Sequence, residues 1–281
     1  MVRNADELLA RYAAGERDFS NIELTRADLS RADLYGINLE KARLREVNLR
    51  GADLRGANLA GVDFRESRLN GASLIQANLD GANCEAVELR EADLYGANLT
   101  RVIFDRADLN EADLRGVSLL EASLQQANLK RVDLRRADLS GANLHDADLR
   151  EARVWEVCWH DVELVRACLK EVDLRGANFQ SASMSEANLI GANLNKAIFA
   201  EASLSDANLS GANLQSAKLD GANLCDAKLM GADLRQAGLK MADLTQADLT
   251  QANLQGANVW GAHLTATNLH GAIMPNGQTN S

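Results

Sequence analysis

The chain has 281 residues and carries 40 acidic against 30 basic side chains, for a net charge of -10. That balance leaves out the concentrated positive field of a general DNA or RNA binder, so direct nucleic-acid binding is not expected. No apolar run is long enough to cross a bilayer, and the N-terminus has no apolar stretch ending in a small-residue cleavage site, so the expected setting is cytoplasmic, with no membrane partner.

Residues 1–16 precede the regular part of the chain and read as a capping helix. Asn4 can cap it, Glu7 follows three residues later, and Leu8, Leu9 and Tyr12 share one face before Gly15. A solenoid leaves open backbone edges at its ends, and an amphipathic helix laid over the first coil blocks unwanted strand pairing there.

Residues 17–274 follow a five-residue frame, clearest in Val47–Leu59: a small apolar residue (Val47, Ala52, Ala57), a short polar one (Asn48, Asp53, Asn58), leucine (Leu49, Leu54, Leu59), then two polar or glycine positions. The central slot falls on every fifth residue from Phe19 to Met274, which makes 52 units without insertion or deletion. It holds 41 leucines, and its exceptions, such as Phe64, Cys84, Trp159 and Met184, are all apolar, so the slot is built for burial. The slot two residues earlier is alanine in 38 units and mostly Val or Ile elsewhere, so two of every five side chains point inward.

An α-helix cannot hold this pattern. Five residues advance about 500° at roughly 100° each, so successive leucines would lie about 140° apart and spread around the axis. A plain strand fails as well: side chains alternate with period two, whereas each leucine is three residues from the next inward alanine, and the parity breaks once per unit. A bend in every unit closes the chain into a coil, and stacked coils can pair through parallel ladders at about 4.8 Å. Glycine in the last slot (Gly36, Gly51, Gly56) suits a bend of positive φ.

The aromatic exceptions set the coil size. With four units per coil, Phe19, Trp159, Phe179 and Phe199 fall on one side and Phe64 and Phe104 on the next, whereas three units per coil scatter them over three sides. Trp159, Phe179 and Phe199 are then expected to stack. The frame gives 13 coils and, at about 4.8 Å each, a length of roughly 60 Å. Past Met274 the tail 275–281 is short and polar, and either folds over the last coil or leaves it open to pair with another chain.

The Ala-Asp/Asn-Leu-X-X units, over about nine-tenths of the chain, resemble the pentapeptide-repeat family. The resemblance implies an all-β solenoid, a right-handed quadrilateral parallel β-helix with the Leu and Ala slots inward. Residues 8–15 and 271–277 are similar to cyanobacterial members, including those linked to heterocyst differentiation, which implies a regulator of cell differentiation as one role. Other members act on DNA gyrase by mimicking duplex DNA, which implies a topoisomerase modulator as another. No insertion in this frame corresponds to the projecting loops of the quinolone-protecting branch, and no dimerisation helix follows Met274.

Among the outward slots one line stands apart. Taken every twentieth residue, Tyr35, Arg55, Ile75, Tyr95, Arg115, Arg135, Trp155 and Arg175 collect three of the four outward repeat aromatics. Tyr, Trp and Arg dominate interface hot spots, so Tyr35, Arg55, Tyr95, Arg115, Arg135, Trp155 and Arg175 form the candidate protein-binding stripe. Asp53, Asp93, Asp113, Asp133 and Asp173 lie two residues before stripe members, and the arginines are expected to neutralise them across the ladder, leaving an alternative in which the line is a solvated charge ladder.

The coil from Arg153 to Cys168 is the least regular, with Trp155, Val157, Cys158, Trp159, His160, Val162 and Val165 in place of ordinary residues. It reads either as a partner or ligand spot on Trp155 and His160 or as a local widening that Trp159 fills. Cys84, Cys158, Cys168 and Cys225 have no disulfide or zinc spacing, and Cys158 and Cys168 fall on opposite sides of the coil. His145, His263 and His270 occur singly, away from any polarised nucleophile. The expectation is a non-enzymatic scaffold without cofactor or metal, binding an unidentified protein as a monomer or an end-to-end homodimer.

Overall fold

The computed structural model describes residues 2–281. They form two compact units, the first ending at Asn143 and the second spanning Leu144–Ser281. Each unit is built from the same right-handed quadrilateral β-helix.

In the first unit the polar slot pairs in parallel with the residue twenty positions on, from Asp18 with Asn38 to Ser123 with Asn143. In the second the same register runs from Asp148 with Cys168 to Asn253 with Ile273. Twenty residues are four five-residue units, so each coil has four sides. The central residue supplies one rung and the last slot another: Leu54 N–H donates to the Ser73 carbonyl at 2.7 Å, and Gly56 N–H to Ile75 at 2.9 Å. Within the unit, Ala57 N–H closes the bend onto the Leu54 carbonyl at 3.1 Å.

The bend has positive φ at the last slot whatever residue stands there. Gly56 has φ 64°, and Glu46, Glu66 and Arg106 have 55°, 58° and 58°. A side chain in this region costs on the order of 1 kcal/mol, and the repeated rungs offset it, so glycine is favoured in the slot without being required. The Asp/Asn preference also has a cause in the bend. The side-chain oxygen accepts the N–H two residues on, as Asp33 does from Tyr35 at 3.2 Å and Asn78 from Asp80 at 3.2 Å.

The Leu and Ala slots form the core of both units, nearly all of them fully buried. Ser67 is a polar residue in the inward small slot. Its hydroxyl donates to the Leu44 carbonyl at 2.7 Å and accepts the Val47 N–H at 3.1 Å, so it stands between the two groups that bond each other directly in an ordinary bend. On one side of the first unit the amides of Asn38, Asn58, Asn78 and Asn98 form a ladder, each donating to the preceding side chain at 2.9–3.3 Å.

The N-terminal helix, α1, spans Ala5–Ala13, with the Asn4 side chain accepting the Glu7 N–H at 2.9 Å. The Glu7 carboxylate returns to the Arg3 N–H at 3.0 Å. Leu8 is the helix residue that is fully buried, while Leu9 and Tyr12 are half-buried. The Tyr12 hydroxyl donates to the Tyr35 carbonyl at 2.9 Å and fastens the helix to the first coil. At the other end the tail folds back: Ile273 pairs antiparallel with Thr279, and Asn280 N–H donates to the Ala272 carbonyl at 2.8 Å.

Candidate functional site

In the first unit the stripe is an ordered row of aromatic rings and guanidinium groups. Tyr35 and Tyr95 are 60% and 48% exposed. Arg55 lies over the Tyr35 ring at 5.8 Å from its centroid, and Arg115 over Tyr95 at 5.4 Å. A cation held against an aromatic face in this way contributes about 0.5–1 kcal/mol at an exposed site.

The arginines are positioned by their own aspartates. Arg55 reaches Asp53 with Nε at 2.8 Å and Nη2 at 2.5 Å. Arg115 repeats this on Asp113 at 2.8 and 2.6 Å, and Arg135 on Asp133 at the same distances. The hydrogen bonds of these arginines close on the aspartate of their own bend, and the neutralisation across the ladder expected from the sequence acts beside them at longer range, as between Arg115 and Asp133. The Asp side chain is already turned towards its own bend by accepting the N–H two residues on, which places its second oxygen in reach of that same residue's guanidinium. Ladder-crossing pairs occur on other lines, as between Arg26 and Glu46 and between Arg45 and Asp63.

Electrostatics follow the clamp. The Arg55 guanidinium holds the Asp53 carboxyl below its usual range, assisted by the backbone N–H of the same residue and opposed by desolvation. At Asp133 desolvation is the largest influence and raises the pKa, yet the bonds from Arg135 exceed it and the net direction is down. Each Asp–Arg clamp is therefore locally neutral, with aromatic and guanidinium faces outward, whereas Asp33 and Asp93 accept the N–H of Tyr35 and Tyr95 and have no arginine in their own bend, which leaves the row with an excess of negative charge.

Trp155 and Arg175 belong to the second unit. Trp155 is 59% exposed, and Arg175 is clamped on Asp173 at 2.9 and 2.7 Å. Arg235 makes the same clamp on Asp233. The irregular coil places Trp159 fully inside, its ring 5.5 Å from Phe179, which stacks in turn on Phe199 at 5.2 Å. His160 is exposed beside Asp161 at 3.1 Å. Among the described residues no group of three or more His, Cys, Asp or Glu is arranged to hold a metal ion. Burial pushes the Cys84 thiol far up, whereas Cys158 is exposed.

Two further features of the row carried no signal in residue type alone. One is the pairing of each arginine within its own bend, which needs the Asx geometry. The other is the placement of its guanidinium over the tyrosine one coil earlier, which needs the twenty-residue register. The signal that finds both is Asp-X-Arg with an aromatic twenty residues before the arginine.

A parallel β-helix whose coil is four five-residue sides, with Leu and Ala inside and Asp or Asn turning each corner, defines a solenoid class by itself. Residues 22–59, 57–94, 82–119, 118–155, 167–206, 207–240 and 242–276 match the family model for pentapeptide repeats, and the chain belongs to that family. Among solved structures it is similar to HetL, a pentapeptide repeat protein involved in heterocyst differentiation regulation from the cyanobacterium Nostoc sp. strain PCC 7120. The two are 32% identical over 99% of this chain and 100% of that one, with a TM-score of 0.41. It is also similar to QnrB1, a plasmid-mediated fluoroquinolone resistance protein, at 17% identity over 87% and 92% of the two chains and a TM-score of 0.28. Rfr23 from the cyanobacterium Cyanothece 51142 is 20% identical over 55% of this chain and 99% of that one, with a TM-score of 0.20. No protein of curated function matches significantly.

Proposed function

We propose that the protein is a non-enzymatic cytoplasmic scaffold that presents the Tyr35–Arg135 row of its first unit to a protein partner. The observation that carries this reading is the pre-ordering of the row: Tyr35 and Tyr95 stay exposed while Arg55 and Arg115 are each fixed by a carboxylate and a ring. Side chains that are already immobile lose less freedom on association, so more of the contact energy remains as affinity. The local neutrality of the clamps favours a partner surface read by stacking and shape over one read by charge. It also weakens the duplex-mimic reading for this face, because the carboxylates of Asp53, Asp113 and Asp133 are engaged by arginine.

The test is affinity capture with mass spectrometry, comparing the wild type with a Tyr35→Ala, Tyr95→Ala, Arg115→Glu variant. We expect one protein to be retained by the wild type and lost from the variant while the far-ultraviolet circular dichroism is unchanged. Equal retention by both would reject the row. Recovery of a gyrase subunit would favour the topoisomerase role, and recovery of a developmental regulator the differentiation role.

A further inference from the structure

The ladder of the second unit is interrupted at one place. Coils join normally where Leu149 N–H meets the Cys168 carbonyl at 2.9 Å, where Leu164 meets Ser183 at 2.7 Å and where Leu169 meets Asn188 at 2.8 Å. Between these, among the described residues, Val154, Trp159 and Asp161 donate no rung to the coil above, and Asp173 and Asn178 donate none to the coil below. No bridge joins position 153 to 173 or 158 to 178.

Exposure records the same gap independently. Ala152, Val154 and Val157 are 8%, 6% and 9% exposed, whereas inward residues of the neighbouring coils such as Ala192, Leu194 and Ala197 are at 0%. Ala177, facing Val157, is also partly exposed. The Asp173 side chain is 55% exposed, against 28% for Asp233 in the same clamp.

The residue at the gap supplies the cause. Phe179 and Phe199 lie nearly parallel, at 15° between planes, which suits a ladder step of about 4.8 Å. The Trp159 indole is tilted by 36° to Phe179 at the longer centroid distance. Its Nε1–H is buried without a hydrogen-bond partner, a cost that a well-closed core avoids.

We propose that Trp159 is a wedge that holds open a seam between residues 152–161 and 173–180, making this the place where the second unit opens first. The seam runs beneath two sides of the coil and separates Trp155 on one lip from Arg175 on the other. Rungs at Leu149, Leu164 and Leu169 keep the remaining sides closed, so the opening is a local hinge and not an unfolded coil. Leucine, the ordinary occupant of this slot, fits at normal spacing, as Leu194 and Leu204 do.

Amide hydrogen exchange on the intact chain tests this, since exchange reports local opening. In the wild type, Val154, Trp159, Asp161, Asp173 and Asn178 should exchange on the order of 100-fold faster than Leu194, Phe199 and Leu204. Trp159→Leu should slow exchange at the seam to the level of those neighbours. Trp159→Phe is the second variant, since a phenyl ring fits this slot at normal spacing as Phe179 does on Phe199: protection restored in both variants supports the wedge. Wild-type amides at the seam as protected as Leu194 would overturn the proposal, as would a seam that stays fast in the leucine variant while that variant keeps the wild-type dichroism.

Discussion

At the residue scale the inward slots carry the most demanding chemistry. Leu134 is fully buried, so Leu134→Asp places a carboxylate in an apolar core slot. An uncompensated buried charge costs on the order of 3–5 kcal/mol, and we expect the variant to aggregate or to melt far below the wild type in a thermal dichroism scan. Ser67 offers the opposite case. Its hydroxyl replaces a direct bend bond between Val47 and Leu44 one coil earlier, and alanine in the same slot elsewhere permits that bond, as Ala77 does for the bond from Ala57 N–H to the Leu54 carbonyl. Ser67→Ala should therefore shift stability by less than about 1 kcal/mol, whereas a loss of several would mean that the bend cannot relax. The inward and outward assignment was legible in the sequence because burial depends on residue type alone. The positive φ of Glu46 and Glu66 was not, because it is imposed by the rungs around the bend and leaves no trace in the residue that adopts it.

At the scale of elements, α1 and the clamped row illustrate two degrees of legibility. Asn4, Glu7 and Leu8 announced the helix, since capping and amphipathic spacing are local properties. Its attachment through the Tyr12 hydroxyl to the Tyr35 carbonyl depends on the first coil being folded, and no local pattern encodes it. Asn4→Ala removes the acceptor for the Glu7 N–H and should cost about 1 kcal/mol, read as a lower midpoint in urea. Leu8→Ala should cost more, about 2–5 kcal/mol, because it empties a fully buried position. If the two variants were equal, the helix would be held by its cap and not by its packing. The clamped row shows the same division. Tyr and Arg at a twenty-residue spacing identified the line, yet the partner of each arginine turned on which way the Asp side chain was already committed. An Asp that closes its own bend is presented to the residue two positions on, so Arg55, Arg115 and Arg135 pair inside the unit.

For the molecule as a whole, two effects of opposite sign decide how stability depends on pH. The net charge of -10 means that protonating carboxylates relieves self-repulsion from neutral pH down to the isoelectric point at about 5.0, which by itself would stabilise the fold over that range, whereas below it the chain turns positive and repulsion returns. Against this, many carboxylates are held below their usual range in the folded state. The backbone N–H and hydroxyl of Ser20 do so for Asp18, Arg55 for Asp53, Arg235 for Asp233, and the hydroxyls and backbone of Thr245 and Thr250 for Asp243 and Asp248. A group whose folded pKa is depressed contributes stability that is fully present above its unfolded value and is lost as pH falls through the folded one. The unfolded value for Asp is about 3.9, so the contribution is intact at neutral pH and disappears below about pH 4. Repulsion between surface charges is screened over about 8 Å at physiological ionic strength, whereas these hydrogen bonds act at contact, so the local effect should win. We expect the melting temperature to be level from pH 8 to about 5 and to fall steeply below about 4. Asn already stands in this slot in many units and keeps the bend bond, so a combined Asp53→Asn, Asp233→Asn, Asp248→Asn variant should fold and show a shallower acid limb. An acid limb that is unchanged in the variant in 0.15 M salt would place the pH dependence in the global charge and not in the bends.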